Sequence, residues 1–350
     1  MLACKAIYGR FMSTSHLQNT MTAQEYIQSS LKQLQEPFEL PQPKTQDELI
    51  ETIFRLLTSK KFRKYALSEE YAAYVKDSIR VSVEANEPIK IVFFGGCYKL
   101  WRLDEAPEAD FAELFSYIYF TRWMKPLCAM YKPGVWFDFL LDDYIVPRLN
   151  NITEEDVEAY RASRDMVLEF VKPYQPKNLN MTHTSEGSLF TSKEAFNDSL
   201  ELAIKDLAGS LPGGLPELDE VGAASVELNT HATDEQLADP KWREKVELLH
   251  SAYYIARNET GYYAPETHKI ISFTQPFAPG KPLAVGSTKD TVAKYWVGVG
   301  ALKPDNSDGF RPLVLSPKQL ESAKFDWQDI SLSGLNGKNF SKVRILKTNG

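Results

Sequence analysis

In two stretches between residues 22 and 86 apolar side chains return every three or four positions, the period of a helix that buries one face. Residues 22 to 35 carry one such stretch. Residues 46 to 86 carry a longer one, in which Leu49, Ile53, Leu56 and Leu57 form a stripe before FRKYALSEEYAAYVKDSIRVSV continues in a second helix. The period then changes. IKIVFF, residues 89 to 94, carries the apolar run Ile91, Val92, Phe93 and Phe94, which leads straight into Gly95 and Gly96, the pattern of a buried strand. Residues 108 to 130 return to the helical period with Phe111, Leu114, Phe115, Ile118, Trp123 and Leu127. VWFDFLL at 135 to 141 is a second strand, set between the turn YKPG and the pair Asp142-Asp143. Strand, long helix and strand make a βαβ unit, which implies parallel neighbours joined by a right-handed crossover.

The second half is less regular. Residues 166 to 208 read as a loop and a helix, with His183 in the loop NMTHTSEG. The stretch 209 to 240 is rich in Gly, Pro and acids without a sustained period, so it reads as a long loop or lid. A helix at about 241 to 257 follows, then KIISFTQPF, KYWVGVGAL and a last short strand VRILK. The predicted fold class is α/β: a Rossmann-like parallel or mixed central sheet flanked by helices, with a smaller C-terminal α+β part. Its divisions are a leader at 1–21, an α/β core at 22–208, the loop at 209–240, and a part at 241–350 that completes the pocket.

Composition narrows the partners. The chain has 350 residues, 43% hydrophobic and 25% charged, enough to bury a sizeable core. A formal net charge of -7 argues against nucleic acid or an anionic membrane surface as partner. No apolar run approaches the roughly 18 residues of a membrane span. The three cysteines, Cys4, Cys97 and Cys128, lack metal-ligand spacing and fit a reducing compartment, so a cytoplasmic location is expected. The leader has Lys5, Arg10 and His16 but no acid before Glu25, the composition of an organellar presequence or of a disordered segment upstream of Met12 or Met21.

Candidate chemistry gathers where the strands end. An open parallel sheet binds ligands beyond the carboxyl ends of its strands, where Gly95-Gly96 and Asp142-Asp143 would both sit. Glycines without a Cβ let a ligand approach the backbone beside Tyr98, and Lys99 and Arg102 offer charge-assisted bonds to a phosphate or carboxylate. FGGCYK lacks the spacing of a dinucleotide fingerprint and the Lys-Ser/Thr pair of a P-loop. Each group also has a structural reading. The glycines suit a tight turn, Asp110 and Glu113 suit the first turn of a helix, and Asp142-Asp143 suit either a turn or a cation-nucleotide site. A lone loop histidine such as His183 is ordinarily solvated.

In order and spacing NEPIKIVFFGGCYK, APEADFAELFSYIYF, MYKPGVWFDFLLDD and NITEEDVEAY resemble a core of the isocyanide synthases of the pyoverdine/dityrosine biosynthesis family. The resemblance covers about residues 45 to 165. It places the family's turn lysine on Lys99, its helix acids on Asp110 and Glu113, and its strand-end acid on Asp142 or Asp143. Departures accompany the matches: Leu100 stands where the family has serine, and SFTQP and WVGVG put Gln275 and Val297 where it has histidines. Neither replacement can shuttle protons at neutral pH.

The resemblance implies a biosynthetic enzyme that acts on the amine of an amino acid and takes one carbon from a pentulose phosphate. In that reading Lys99 and Arg102 hold the phosphate or carboxylate, with Gly95, Gly96, Tyr98 and His183 lining the substrate. Asp110, Glu113 and one acid of the 142–143 pair hold the ammonium and move protons, and no metal or other cofactor is required. Two other classes compete. A metal-dependent nucleotide-sugar transferase would use Asp142-Asp143 to hold its cation, and a non-catalytic relative would bind a small molecule without turnover.

Overall fold

The run Ile89–Phe94 forms β1, an interior strand of a four-stranded parallel sheet ordered β3-β2-β1-β4. In this computed structural model the residues described are 21–38, 40–60, 66–94, 108–141, 143–149, 152–210, 233–260, 270–273, 299–305, 309–315, 317–335 and 342–347. β2 (Val135–Leu141) lies beside β1 in register from Ile89↔Val135 to Phe94↔Leu140, parallel as the strand-helix-strand pattern predicts. β3 (Leu179–Ser185) flanks β2, and β4 (Ile271–Ser272), from the stretch KIISFTQPF, flanks β1.

The longer helices are α1 (Ala23–Gln35), α2 (Gln46–Leu57), α3 (Glu69–Ala85), α4 (Phe111–Met130), α5 (Glu154–Val171), α6 (Lys193–Ser210) and α7 (Pro240–Glu259). Several begin where the sequence supplies a cap: the side chains of Thr22, Thr45, Ser68, Asp110 and Thr153 each accept a bond from a first-turn amide. α3 stops because Asn86 takes the left-handed conformation, φ 56°.

Alternation along the strands gives the sheet two different faces. Phe93, Phe137, Phe139 and Met181 meet Phe120, Trp123 and Phe273, with ring centroids 4.6 Å apart for Phe120 and Phe137 and 4.8 Å for Trp123 and Phe273. Each such buried ring contributes about 1.5–3 kcal/mol. On the other face Val92, Leu140 and Ile270 pack with Trp136 and Leu189. α6 and α7 pair through Phe196, Leu200, Val246 and Leu249, and this cluster reaches Val157 and Tyr160 of α5.

A second four-stranded sheet, of mixed direction, is ordered β6-β5-β8-β7. β5 (Val299–Asp305) is antiparallel to β6 (Gly309–Leu315) and parallel to β8 (Lys342–Leu346), which pairs antiparallel with β7 (Phe325–Asp329). β5 lies against α4. β3 corrects the expectation of a loop around His183. Only Leu179 and Met181 of LNMTHTS are buried apolar residues, so its pairing with β2 makes the strand where its own pattern does not. Within the stretch read as a loop, α6 runs on to Ser210 and a short helix spans Asp234–Ala238, while residues 211–232 lie outside the described residues. So do residues 1–20 of the leader. Among the described residues no helix is long and apolar enough to cross a membrane.

Candidate active site

Parallel pairing brings the ends of β1, β2 and β3 to one edge of the sheet. Gly95, Gly96, Tyr98, Lys99, Arg102, Asp142, Gln275 and Val297 lie outside the described residues. Asp143, Asp110, Glu113 and His183 are described, and all four belong to polar networks at or just beneath that edge.

Asp143 follows β2 and is buried. Its Oδ1 accepts the Glu186 backbone N–H at 2.9 Å, its Oδ2 accepts the Ser185 hydroxyl, and the Arg161 guanidinium stands 3.6 Å from Oδ2. Burial raises its carboxyl above the ordinary range, against the opposing pull of the Ser185 bond and the Arg161 charge. The carboxylate thereby ties the end of β2 to the turn that follows β3.

Asp110 and Glu113 open α4 as a capping box. Asp110 Oδ1 accepts the Ala112 N–H at 2.7 Å, and Glu113 Oε2 accepts the Asp110 N–H at 2.6 Å. Both side chains reach further than a cap requires. The Gly300 N–H of β5 points at both Asp110 oxygens, 3.2 Å from each, and Arg344 of β8 lies 3.6 Å from Oδ2. Glu113 is buried, and its Oε1 accepts the Tyr160 hydroxyl of α5 at 2.9 Å. Ser163 of the same helix accepts the Ala109 N–H at 2.8 Å. The start of α4 is thus held by α5 on one side and by the second sheet on the other.

His183 is neither in a loop nor solvated, which corrects the sequence expectation. It stands on β3 opposite Phe139, itself opposite Phe93, so Phe93, Phe139 and His183 form one row across the sheet face that α4 covers. Its side chain is 4% exposed. Nδ1 lies 2.5 Å from Asp165 Oδ1 of α5, and Nε2 lies 2.9 Å from the Tyr117 hydroxyl of α4. Arg164 Nε donates to that hydroxyl at 3.3 Å, while its guanidinium lies over the Tyr160 ring at 5.5 Å and the Phe139 ring at 5.9 Å.

Burial, aided by the positive charges of Arg164 and Lys172, lowers the His183 pKa to about 4 against the pull of Asp165. Burial also pushes the Tyr117 hydroxyl up to about 12. Asp165, which burial alone would raise, is instead held below its ordinary range by the His183 bond and by the charges of Arg164 and Arg161. At neutral pH the imidazole is therefore uncharged and Asp165 ionised. A carboxylate can only accept, so Nδ1–H donates to Asp165 and Nε2 accepts from the Tyr117 hydroxyl.

Sequence reading missed Tyr117, Tyr160, Arg161, Arg164, Asp165 and Ser185. One signal was available: α5 buries Val157, Tyr160, Arg164, Val167, Leu168 and Val171, so an arginine occupies its apolar stripe. Cations take such a place only with partners.

No protein-family model matches the sequence, and no curated protein matches it at significance. The fold is similar to the crystal structure of the PvcA protein from Pseudomonas aeruginosa, with a TM-score of 0.58 at 15% identity, covering 85% of this chain and 100% of that one.

Proposed function

We propose that this protein is an isocyanide-synthase-like biosynthetic enzyme acting on the amine of an amino acid, with a pentulose phosphate as the one-carbon donor. The observation that carries the reading is the fold likeness to PvcA across the whole of that chain. It agrees with the independent resemblance of the motifs between residues 45 and 165 to isocyanide synthases.

In this reading the work of the site is divided unevenly. Asp110 already serves its own helix, the Gly300 amide and Arg344, so we give it the task of bracing the start of α4. Proton handling falls to Glu113 and Asp143, acids close to the edge where a ligand would lie. Lys99 and Arg102, which follow β1 in the sequence, are proposed to hold the phosphate or the amino-acid carboxylate. A cytoplasmic location, with no nucleic-acid or membrane partner, belongs to the same reading and rests on charge and cysteine usage.

A transferase that holds its cation on the Asp142-Asp143 pair is less well supported. Both Asp143 oxygens already accept protein hydrogen bonds, and the Arg161 guanidinium 3.6 Å from Oδ2 would stand as a like charge beside any cation held there. The test is incubation of the purified protein with L-tyrosine or L-tryptophan and ribulose 5-phosphate labelled with ¹³C, with product analysis by mass spectrometry. A product that gains one labelled carbon is expected. Stabilisation by nucleotide plus Mg²⁺ or Mn²⁺, with activity abolished by a chelator, supports the transferase instead. Binding of an amino acid or pentose phosphate without any product supports the non-catalytic relative.

A further inference from the structure

We propose that Arg161 holds the α-carboxylate of the amino-acid substrate, exchanging its bond to Glu158 for one to the ligand. This rests on the amino-acid reading above, in which each of the two substrates brings an anion: the carboxylate of the amino acid and the phosphate of the pentulose.

Arg161 lies on α5, and its head stands at the carboxyl edge of the parallel sheet. Nη1 is 3.6 Å from Oδ2 of Asp143, just past the end of β2, and the same oxygen accepts the hydroxyl of Ser185, the last residue of β3. The Arg161 side chain is 36% exposed, so a ligand lying along that edge can reach it. A guanidinium offers five N–H groups in a planar fork. Nη2 lies 2.8 Å from Glu158 Oε2 and donates to Oε1 at 3.0 Å, while Nη1 is too far from Asp143 for a hydrogen bond. Among the described residues, then, Nε and Nη1 donate to no acceptor, and they are the donors left for a ligand.

Glu158 is the partner that such a ligand replaces. It sits one turn before Arg161 on the same helix, and its side chain is 62% exposed. Ion pairs of this kind on a helix surface are weak, because both side chains keep water as an alternative partner. A ligand carboxylate taken bidentately by the fork is a stronger partner. Glu158 thus carries the same chemical group as the ligand and competes with it for one guanidinium.

Charge selects the carboxylate over the phosphate. The acids around the guanidinium are Asp143 from the end of β2 and Glu158 and Asp165 from α5 itself. A phosphate would bring about two negative charges into these surroundings at neutral pH, with no cation of its own to offset them. An α-amino acid brings one, with an ammonium on the adjacent carbon. Its carboxylate on Arg161 carries that ammonium toward Asp143, the acid to which proton handling is given above. Lys99 and Arg102, which follow β1 in the sequence, then serve the phosphate.

The experiment is calorimetric titration of the full wild-type chain, Arg161→Gln, Arg161→Lys and Glu158→Gln at neutral pH. The ligands are L-tyrosine, L-tryptophan, the corresponding amines tyramine and tryptamine, which lack the carboxylate, and ribulose 5-phosphate. The melting temperature of each variant is recorded beside its affinities. Both side chains are exposed enough to be replaced with the fold intact. Arg161→Gln is expected to weaken binding of the amino acids about 10- to 100-fold and of the amines by less than about twofold. Arg161→Lys keeps the charge without the fork and is expected to fall between wild type and Arg161→Gln. Glu158→Gln is expected to tighten the amino acids about two- to fivefold by removing the competing charge, a gain that a purely structural ion pair does not produce. A loss of less than about tenfold for the amino acids in Arg161→Gln overturns the assignment. So does equal weakening of amino acids and amines together with a lowered melting temperature, the mark of a pair that only supports the fold. Weakening confined to ribulose 5-phosphate overturns it as well, and gives the residue to the phosphate. Amino-acid binding in Glu158→Gln that is no tighter than in wild type overturns the exchange. Failure of the wild type to bind either amino acid overturns the amino-acid reading, and the role of Arg161 falls with it. In every other case the wild type binds, and that reading survives the loss of Arg161.

Discussion

The backbone N–H of Gly300 lies 3.2 Å from each carboxylate oxygen of Asp110, across 190 positions of sequence. This contact fastens the second sheet to the first turn of α4. Only glycine fits at 300: a Cβ there would come 2.2 Å from the Ala112 nitrogen and 2.7 Å from the Phe111 carbonyl carbon. Both are backbone atoms of a helix start and cannot swing aside. Gly300→Ala is therefore expected to force β5 away from α4 and to destabilise the fold by about 1–3 kcal/mol or more, read by denaturant unfolding. An unchanged unfolding midpoint would mean that the two elements are not docked in this way.

Glu113 and Tyr160 provide the matching attachment on the other side of α4. Tyr160→Phe removes a donor to a buried carboxylate without changing the packing of the ring. The expected loss is about 1.5–3 kcal/mol, the range for hydrogen bonds to charged groups. Double substitution with Glu113→Gln should cost less than the sum of the two single effects, because Glu113→Gln weakens by loss of charge the same bond that Tyr160→Phe removes. Strict additivity in the unfolding energies would contradict the pairing.

Stability should depend on pH through His183. In the unfolded chain its imidazole titrates at the ordinary 6.5, whereas in the fold its pKa is lowered to about 4, chiefly by burial. Between those values the unfolded chain binds a proton that the folded chain refuses. The contribution is complete above pH 6.5 and is lost as the pH falls toward 4, by about 3 kcal/mol in total. Asp165, held below its ordinary 3.8, adds a loss in the same direction in stronger acid. Asp143, raised above 3.8, works the opposite way just above that pH. Unfolding measured at pH 5, 6 and 7 should show a slope in wild type that is much flatter in His183→Gln. Equal slopes in the two proteins would show that the ring is not held neutral.

Lys99 carries a prediction that rests on the sequence and on the proposed function together. As an anion-holding residue, Lys99→Ala should weaken binding of ribulose 5-phosphate by about 1.5–3 kcal/mol while leaving the melting temperature nearly unchanged. Calorimetric titration beside thermal unfolding of the same preparation separates this from a structural lysine, whose removal would lower stability first. Unchanged affinity in both Lys99→Ala and Arg102→Ala would end the assignment of this turn as the anion site.

The sequence by itself determined the elements whose side chains all demand one environment. IKIVFF and VWFDFLL are strands because nearly every position is apolar, and the helix between them starts where Asp110 and Glu113 can cap it, so the parallel pair and its common edge were legible before any coordinates. The α1, α2 and α3 stretches were legible for the same reason. Only the tertiary structure decided the rest. LNMTHTS, GFRPLVL and FDWQD carry too little periodicity to announce strands, and they are strands because a neighbour offers them a backbone ladder. Likewise Asp110 and Glu113 were visible as acids, but their ties to Gly300 and Tyr160 join residues far apart in the chain. His183 shows the difference most sharply. In sequence it is one polar residue among Asn, Thr and Ser, and nothing local distinguishes it. Its pairing with Tyr117 and Asp165 exists because β3 registers against β2 while α4 and α5 cover the same face, and burial on that face is what makes the ring neutral and its hydrogen bonds directional.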